Sequence, residues 1–319
     1  MKALYVLGKP IAHSLSPVFQ NAGLRAAGLP DVYDRREVEA EDLAQIAEDV
    51  RQEKILGCNI TLPYKTQAAT LADRVTPAVE ATGVANTWWA EKGELWADNT
   101  DIVGLQMSFA ALLGARDASR VVLLGAGGAS NAAIFALSPV VQDLTIVNRT
   151  LSKAEAALEH ARPWLKDSTQ THALPWPAHL EDAQEVNAAI RRADLVIQTT
   201  SIPILYPKDP SVFEALELEH IGGENRGALL ELAYGDEPTV PMQRAAQSGA
   251  PVLDGATMLL HQGARSFERW LGLRPNVRAM RDALAAAVER NPEEIAAEIP
   301  EEIRRKWGVA PKDAACNRG

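Results

Sequence analysis

Along the first hundred residues, short apolar runs alternate with stretches whose apolar residues recur at helical spacing. KALYVLG, VYDRREV and ILGCNITLP have the length and β-branched or aromatic content of strands. Between them, SPVFQNAGLRAAG and DLAQIAEDVRQE carry apolar residues three and four apart. The order predicts βαβαβ, with helices covering a mostly parallel sheet. Pro17 suits the first turn of a helix capped by Ser16, and Asp42 suits the same opening place in the next helix. TWWAEKGELWAD then predicts two short strands around a Lys92-Gly93 turn, where glycine accepts positive φ.

Residues 102–114 read as a helix stopped by Gly114, and a wholly apolar strand, VVLLG, restarts the alternation. A helix from Ala129, the strand LTIVN, a helix from Ser152 and the strands DLVIQTT and ALLELA make a second α/β unit, so a domain crossing falls near Asp101. PVLDGATMLLHQGARSFERWLG carries a helical stripe through Met258, Leu259, Gln262, Ser266 and Trp270, with a polar Gln262 on that face. From Asn291 the chain is charged, interrupted by Pro300 and Pro311 and ends in small polar residues, which predicts a peripheral helical appendage with a frayed tail.

At 319 residues, two domains are the expectation. The balance of 47% hydrophobic and 23% charged residues is that of a chain that packs. A net charge of -10 argues against a nucleic-acid partner. The opening MKALYVLGKP is too short an apolar run for a signal, and no stretch reaches the roughly 20 residues of a membrane span. A cytoplasmic protein with no membrane association is expected, as a monomer or homodimer. The two cysteines, Cys58 and Cys316, lie far apart in unlike surroundings, so neither a disulfide framework nor a metal site is indicated, and Cys58 reads as a buried, reduced thiol.

VVLLGAGGAS places Gly125 and Gly127 after an apolar strand and before a helix, with small Ser130 at the third fingerprint position. Gly125 permits the tight turn, Gly127 removes a Cβ that would block a pyrophosphate, and the helix presents free N–H groups to the anion. The residues between and after them, Ala126, Gly128 and Ala129, complete a dinucleotide cradle. The next strand ends in Asn148, Arg149 and Thr150, with Lys153 one turn on, where an NAD enzyme places Asp or Glu. An acid there repels a 2′-phosphate and a guanidinium binds it, so NADP is favoured over NAD.

Three polar clusters follow strands in the first domain, where ligands bind in open α/β sheets. GKPIAHSLSP holds Ser14 and Ser16, which could cap the helix, bind a carboxylate or both. GCNITLPYK holds Asn59, Thr61 and Lys65. The third runs from Ala85-Asn86-Thr87 to Asp98-Asn99-Thr100-Asp101. Each alone reads as surface or turn chemistry.

Taken together and in order with the glycine loop, Asn148-Arg149-Thr150 and DGATMLLHQ over 254–262, these pieces resemble the shikimate dehydrogenase family over about residues 4–271. The resemblance implies a two-domain α/β protein: a substrate domain over 1–104 completed by about 254–290, a Rossmann-like NADP domain over 105–253 and a cleft between them; the peripheral extension over 291–319 lies beyond the resemblance and is expected from its composition alone. It implies that Ser14 and Ser16 hold the carboxylate of shikimate or 3-dehydroshikimate, and that Thr61, Lys65, Asn86, Asp101 and Gln262 bind its ring hydroxyls. Tyr234 matches a tyrosine near the same substrate, and Leu232 and Gly255 match positions beside the nicotinamide. Oxidising an alcohol by hydride transfer needs a group to take the hydroxyl proton, and a lysine oriented by an aspartate suits it, so Lys65 is the expected proton carrier and Asp101 its partner.

Four positions depart from the family: Ala97 and Pro203 stand at common glycines, Asn131 at a common arginine and Glu231 at a common aspartate. They bear on the nicotinamide-side loop and on cofactor affinity, not on the reaction class. The rival readings are a quinate/shikimate dehydrogenase with NAD or NADP, a catalytically silent ligand sensor, and glutamyl-tRNA reductase, whose nucleophilic cysteine and tRNA-binding region have no evident counterpart here.

Overall fold

The structure is a computed structural model, and it describes residues 1–205, 209, 211–223 and 227–309. Cys316 and the end of the predicted tail lie outside the described residues. Among the described residues the chain divides into two compact units, Met1–Gly104 with Leu259–Glu298, and Leu105–Met258 with 299–309.

The first unit is built on six strands: Leu4–Gly8 (β1), Tyr33–Glu37 (β2), Gly57–Ile60 (β3), Arg74–Val75 (β4), Thr87–Glu91 (β5) and Glu94–Asp98 (β6). Their order is β2-β1-β3-β5-β6-β4. The βαβαβ opening makes β1 parallel to β2 and to β3, as the alternation predicts. The hairpin then adds β5 antiparallel to β3 and β6 antiparallel to β5, so the sheet is mixed. Its turn is the predicted one, with Lys92 at φ 55° and Gly93 at φ 79°. Alternation along β1 sends Leu4 and Val6 to one face, with Phe267 and Trp270, and Leu7 to the other, with Ile60, Trp88 and Leu95.

These strand directions place the polar clusters. Gly8 ends β1 and Ile60 ends β3, while Thr87 begins β5 and pairs across with Asn59 on one side and Asp98 at the end of β6 on the other. One edge of the sheet therefore receives the segments after β1, after β3, before β5 and after β6.

The helix Ser16–Ala26 carries Pro17 in its first turn, but Ser16 makes no capping bond and lies inside the helix. The predicted cap is not formed; Ser14 Oγ instead accepts from the Ser16 N–H at 3.3 Å. Sequence periodicity also leaves out the short helices Lys65–Leu71 and Pro77–Thr82, which are too brief to show a pattern.

The second unit is an all-parallel sheet of Arg120–Leu124 (β7), Asp143–Asn148 (β8), Gln170–Pro175 (β9), Leu195–Gln198 (β10), Ala228–Glu231 (β11) and Val252–Leu253 (β12), in the order β12-β11-β10-β7-β8-β9. Strands β7 and β10 are buried almost throughout, which is why they read as unbroken apolar runs. The segment after Asn291 corrects the expectation of a purely peripheral appendage. Ile295 and Trp307 are buried, and Trp307 Nε1 donates to Gly114 O at 3.0 Å. A tryptophan in a charged segment was the legible sign of an anchor.

Candidate active site

The first unit joins four of the predicted residues in one network. Lys65 opens its short helix just beyond β3, and its Nζ donates to Asp101 Oδ2 at 2.6 Å. Asp101 starts the helix Asp101–Leu113, and its other oxygen accepts from Asn86 Nδ2 at 2.8 Å. The same amide nitrogen reaches Gln262 Oε1 at 3.3 Å. Side-chain exposure is 25% for Lys65 and 12% for Asp101, so the pair is largely shielded and the lysine side chain keeps part of its solvent contact.

Beneath this network lies a layer that sequence reading did not assign. Asn86 Oδ1 accepts from the Thr100 N–H and from the Thr87 and Thr100 hydroxyls. Asn59 Nδ2 donates to Ser266 Oγ, Thr87 Oγ1 and Asn86 O. All are buried, so the asparagine that carries the pattern is held in one rotamer by its own acceptor side. The signals were present: a polar Asn59 inside an apolar strand, and Ser266 one turn after Gln262. Below, Arg269 pairs with Asp98 Oδ2, whose other oxygen accepts from Thr76 Oγ1 and the Asn99 N–H, fixing the turn that leads to Asp101.

Ser14, Ser16 and Thr61 stand on the neighbouring segments of the same sheet edge. Gly8 allows two of these segments to touch, since a Cβ there would meet Thr61 Cγ2 at 2.6 Å. Lys9 N donates to Leu62 O at 3.2 Å and Thr61 N to Leu7 O at 2.8 Å, locking the loop after β1 to the loop after β3. The unspent cap leaves the Ser16 hydroxyl beside the Tyr33 phenol, and burial holds that phenol well above its ordinary pKa.

In the second unit Gly125 follows β7 at φ 117°, and a Cβ on it would strike Thr199 Oγ1 at 2.5 Å. Ser130 seals the turn by donating to Gly125 O at 2.9 Å and meeting Thr199 Oγ1 at 2.7 Å. A Cβ on Gly127 or Gly128 would enter open space, and the helix Gly128–Leu137 begins there. Open backbone at a helix start fits a pyrophosphate. Ala126 and Ala129 complete the loop. Asn131, at the departure from arginine, has a buried Oδ1 with no partner among the described residues.

Strand β8 ends at Asn148, whose Nδ2 donates to Thr150 O at 2.8 Å. Arg149 and Lys153 are exposed beyond it, with no carboxylate paired to either among the described residues. Leu232 and Gly255 are brought together: a Cβ on Gly255 would lie 2.2 Å from Leu232 O, and Gly255 N donates to Ala233 O at 3.0 Å. Tyr234 follows on that loop, its phenol pushed up by burial with the Asp254 carboxylate nearby.

The departure at Glu231 has a structural role. Its fully buried carboxylate accepts from the Ala233 N–H at 3.0 Å and from Thr239 Oγ1 at 3.0 Å, bracing the loop of Leu232 and Tyr234. Burial raises its pKa to about 7 against those bonds, which act to lower it. Ala97 is buried in β6 and Pro203 in the short helix Ile202–Leu205. Cys58 is buried, and desolvation pushes its thiol far up, so it stays protonated.

Comparison with known proteins accords with this arrangement. Residues 6–88 match the shikimate dehydrogenase substrate binding domain, and residues 255–285 match the shikimate 5′-dehydrogenase C-terminal domain. A shikimate dehydrogenase (NADP(+)) of Cupriavidus necator is 36% identical over 292 residues, 89% of this chain and 93% of that protein. The crystal structure of a shikimate 5-dehydrogenase from Thermus thermophilus in complex with shikimate is 31% identical, with a TM-score of 0.73 over 91% of this chain and 100% of the other. A 5-ketofructose reductase of Gluconobacter sp. strain CHM43 is 26% identical, with a TM-score of 0.76 over 90% of this chain and 99% of the other. The chain therefore belongs to the shikimate dehydrogenase family of NAD(P)-dependent oxidoreductases.

Proposed function

We propose that the protein reduces 3-dehydroshikimate reversibly to shikimate with NADPH, in the cytoplasm, as a step toward the aromatic amino acids. The observation that carries this reading is the Lys65 ammonium held 2.6 Å from Asp101 Oδ2, with Asn86 on the other carboxylate oxygen. Bound NADPH supplies the hydride. As the carbonyl carbon accepts it, the oxygen needs a proton, which Lys65 Nζ gives and, in the oxidation, takes back. Asp101 aims the ammonium and contacts the ring hydroxyls with Thr61, Asn86 and Gln262. Ser14 and Ser16 hold the carboxylate, and Tyr234 meets the same substrate.

On the cofactor side, residues Gly125 to Ser130 receive the pyrophosphate, and Leu232 and Gly255 border the nicotinamide. Asn148, Arg149, Thr150 and Lys153 receive the adenosine end. Two cations and no acid at the end of β8 favour a 2′-phosphate.

The test is NADPH consumption with 3-dehydroshikimate, repeated on Lys65→Ala. Turnover by the wild type and a loss of about 10²-fold or more in kcat for the variant are expected, the usual size of acid–base effects. No turnover by the wild type overturns the reading. Quinate and NAD are assayed alongside, since turnover of both as efficient as that of shikimate with NADP would replace it with a quinate/shikimate dehydrogenase.

A further inference from the structure

Strand β2 presents Tyr33 and Arg35, two residues apart, on one face. Both point to the serine segment. Tyr33 OH donates to Asn59 Oδ1 at 2.7 Å with the Ser16 hydroxyl beside it, and Arg35 Nε donates to Ser14 O at 2.8 Å. The spacing of the two serines is thus matched by the spacing of two strand residues. Tyr33 is fully committed inside. Arg35 is not: it is partly buried, and the N–H groups of its Nη1 and Nη2 meet no protein acceptor among the described residues.

Among the described residues, the charges nearby leave the guanidinium without a counter-ion. Asp34 points to the other face of β2 and accepts from the Arg35 main-chain N–H at 2.7 Å. Glu37 shares the Arg35 face, but its carboxylate accepts from Ile11 N at 3.4 Å and makes no ion pair with Arg35. Glu39 is paired with Lys9. Two serine hydroxyls are neutral donors with one proton each, whereas a carboxylate offers about four acceptor positions and a full charge.

We propose that Arg35 is the charged member of the carboxylate subsite, its outer N–H groups meeting the substrate carboxylate while Nε holds the Ser14 main chain. This rests on the reading of Ser14 and Ser16 given above. The consequence is a substrate class: carboxylated cyclic polyols are taken, and neutral keto sugars of similar size are rejected, because they leave a partly desolvated guanidinium unpaired.

Two variants divide the functions of the side chain. Arg35→Gln keeps an N–H donor for Ser14 O and removes the charge, and Arg35→Lys keeps the charge and loses the planar fork. Binding of shikimate and of its neutral methyl ester is measured by calorimetry, and NADP-dependent oxidation of both is assayed. For Arg35→Gln, binding and kcat/KM for the acid fall roughly tenfold or more, chiefly through KM, as for a hydrogen bond to a charged group. The ester changes little, and Arg35→Lys recovers part of the loss for the acid.

Raised salt weakens shikimate binding to the wild type more than to Arg35→Gln. Equal losses for acid and ester would mean that Arg35 acts only by positioning Ser14, and no loss would mean that it does not act; either overturns the proposal. Failure of the wild type to bind shikimate also overturns it. Binding without turnover counts against the proposed reaction and leaves the calorimetric comparison to decide the role of Arg35.

Discussion

Asp101 is bound on both oxygens by donors, Lys65 Nζ and Asn86 Nδ2. In Asp101→Asn one side must become an amide, so an N–H group faces an N–H group at Lys65 or at Asn86, and the charge that aims the ammonium is lost. Shikimate oxidation by this variant is expected to drop about 10²-fold in kcat, on the scale of acid–base effects. An unchanged thermal midpoint assigns the loss to the site rather than to folding. Arg149→Asp, on an exposed residue, puts an acid where a 2′-phosphate would lie, and the NADPH KM is expected to rise about tenfold more than the NADH KM. Equal effects on the two cofactors would remove Arg149 from the nucleotide site.

Glu231 gives a pH signature. Its ordinary value of 4.5 is raised to about 7 by burial, so between those values the native protein keeps a proton that the unfolded chain releases. Stability therefore falls as pH rises through that window and is level above it. The contribution lost is about 3 kcal/mol on the scale of 1.36 kcal/mol per pKa unit. Glu231→Gln stays neutral throughout. Ala233 N–H can still donate to its amide oxygen, and Thr239 can turn to accept from its NH₂ group. Urea midpoints at pH 5 and 8 should show the variant gaining on the wild type at the higher pH; parallel curves would rule out a buried neutral carboxyl.

At the scale of elements, legibility followed burial and length. Strands β1, β3, β7, β8, β10 and β11 were readable because strands buried on both faces must be apolar, and the hairpin because Lys92-Gly93 needs positive φ. Strand β9 was not readable: QTHALP has a mixed, half-exposed pattern. The helix Gln184–Arg192 was lost to its many polar residues, although Val186 and Ile190 are buried. Of the candidate site, the residues displayed at strand ends were legible, and Ser266 left a trace one turn after Gln262, whereas the buried roles of Thr87 and Thr100 were not, since a buried hydroxyl and an exposed one look the same in sequence. Gly263 was another silent position. A Cβ there would meet Phe19 Cε2 at 2.3 Å, so the helices Ser16–Ala26 and Ala256–Leu271 approach by virtue of that glycine. Gly263→Ala should destabilise by about 1–3 kcal/mol, the usual effect of overpacking, despite the better helix propensity of alanine. A rise in thermal midpoint would show that Phe19 yields freely.

At the scale of the whole molecule, the chain passes between its units after Gly104, after Met258 and again after Glu298, so its last described residues return to the unit that holds the glycine loop. The return ends in an anchor. Trp307 is 2% exposed, lies 5.6 Å from the Phe109 ring and donates to Gly114 O, while Lys306 Nζ donates to Ala115 O, Arg116 O and Asp117 Oδ1. These bonds collect carbonyls of the loop just past the end of the helix Asp101–Leu113, where a cation sits favourably beside a helix C-terminus. Ring burial and the hydrogen bond are separable in magnitude. Trp307→Ala removes both and should cost about 3–5 kcal/mol, the usual range for a buried tryptophan. Trp307→Phe keeps an aromatic ring against Phe109 but orphans the Gly114 carbonyl, and should cost about 1–3 kcal/mol. Lys306→Ala, whose side chain is 28% exposed, should change stability least, because a solvated ion pair contributes little. Denaturant midpoints in that order support the chain end as a structural part of the second unit; three midpoints equal to wild type would return it to a dispensable appendage.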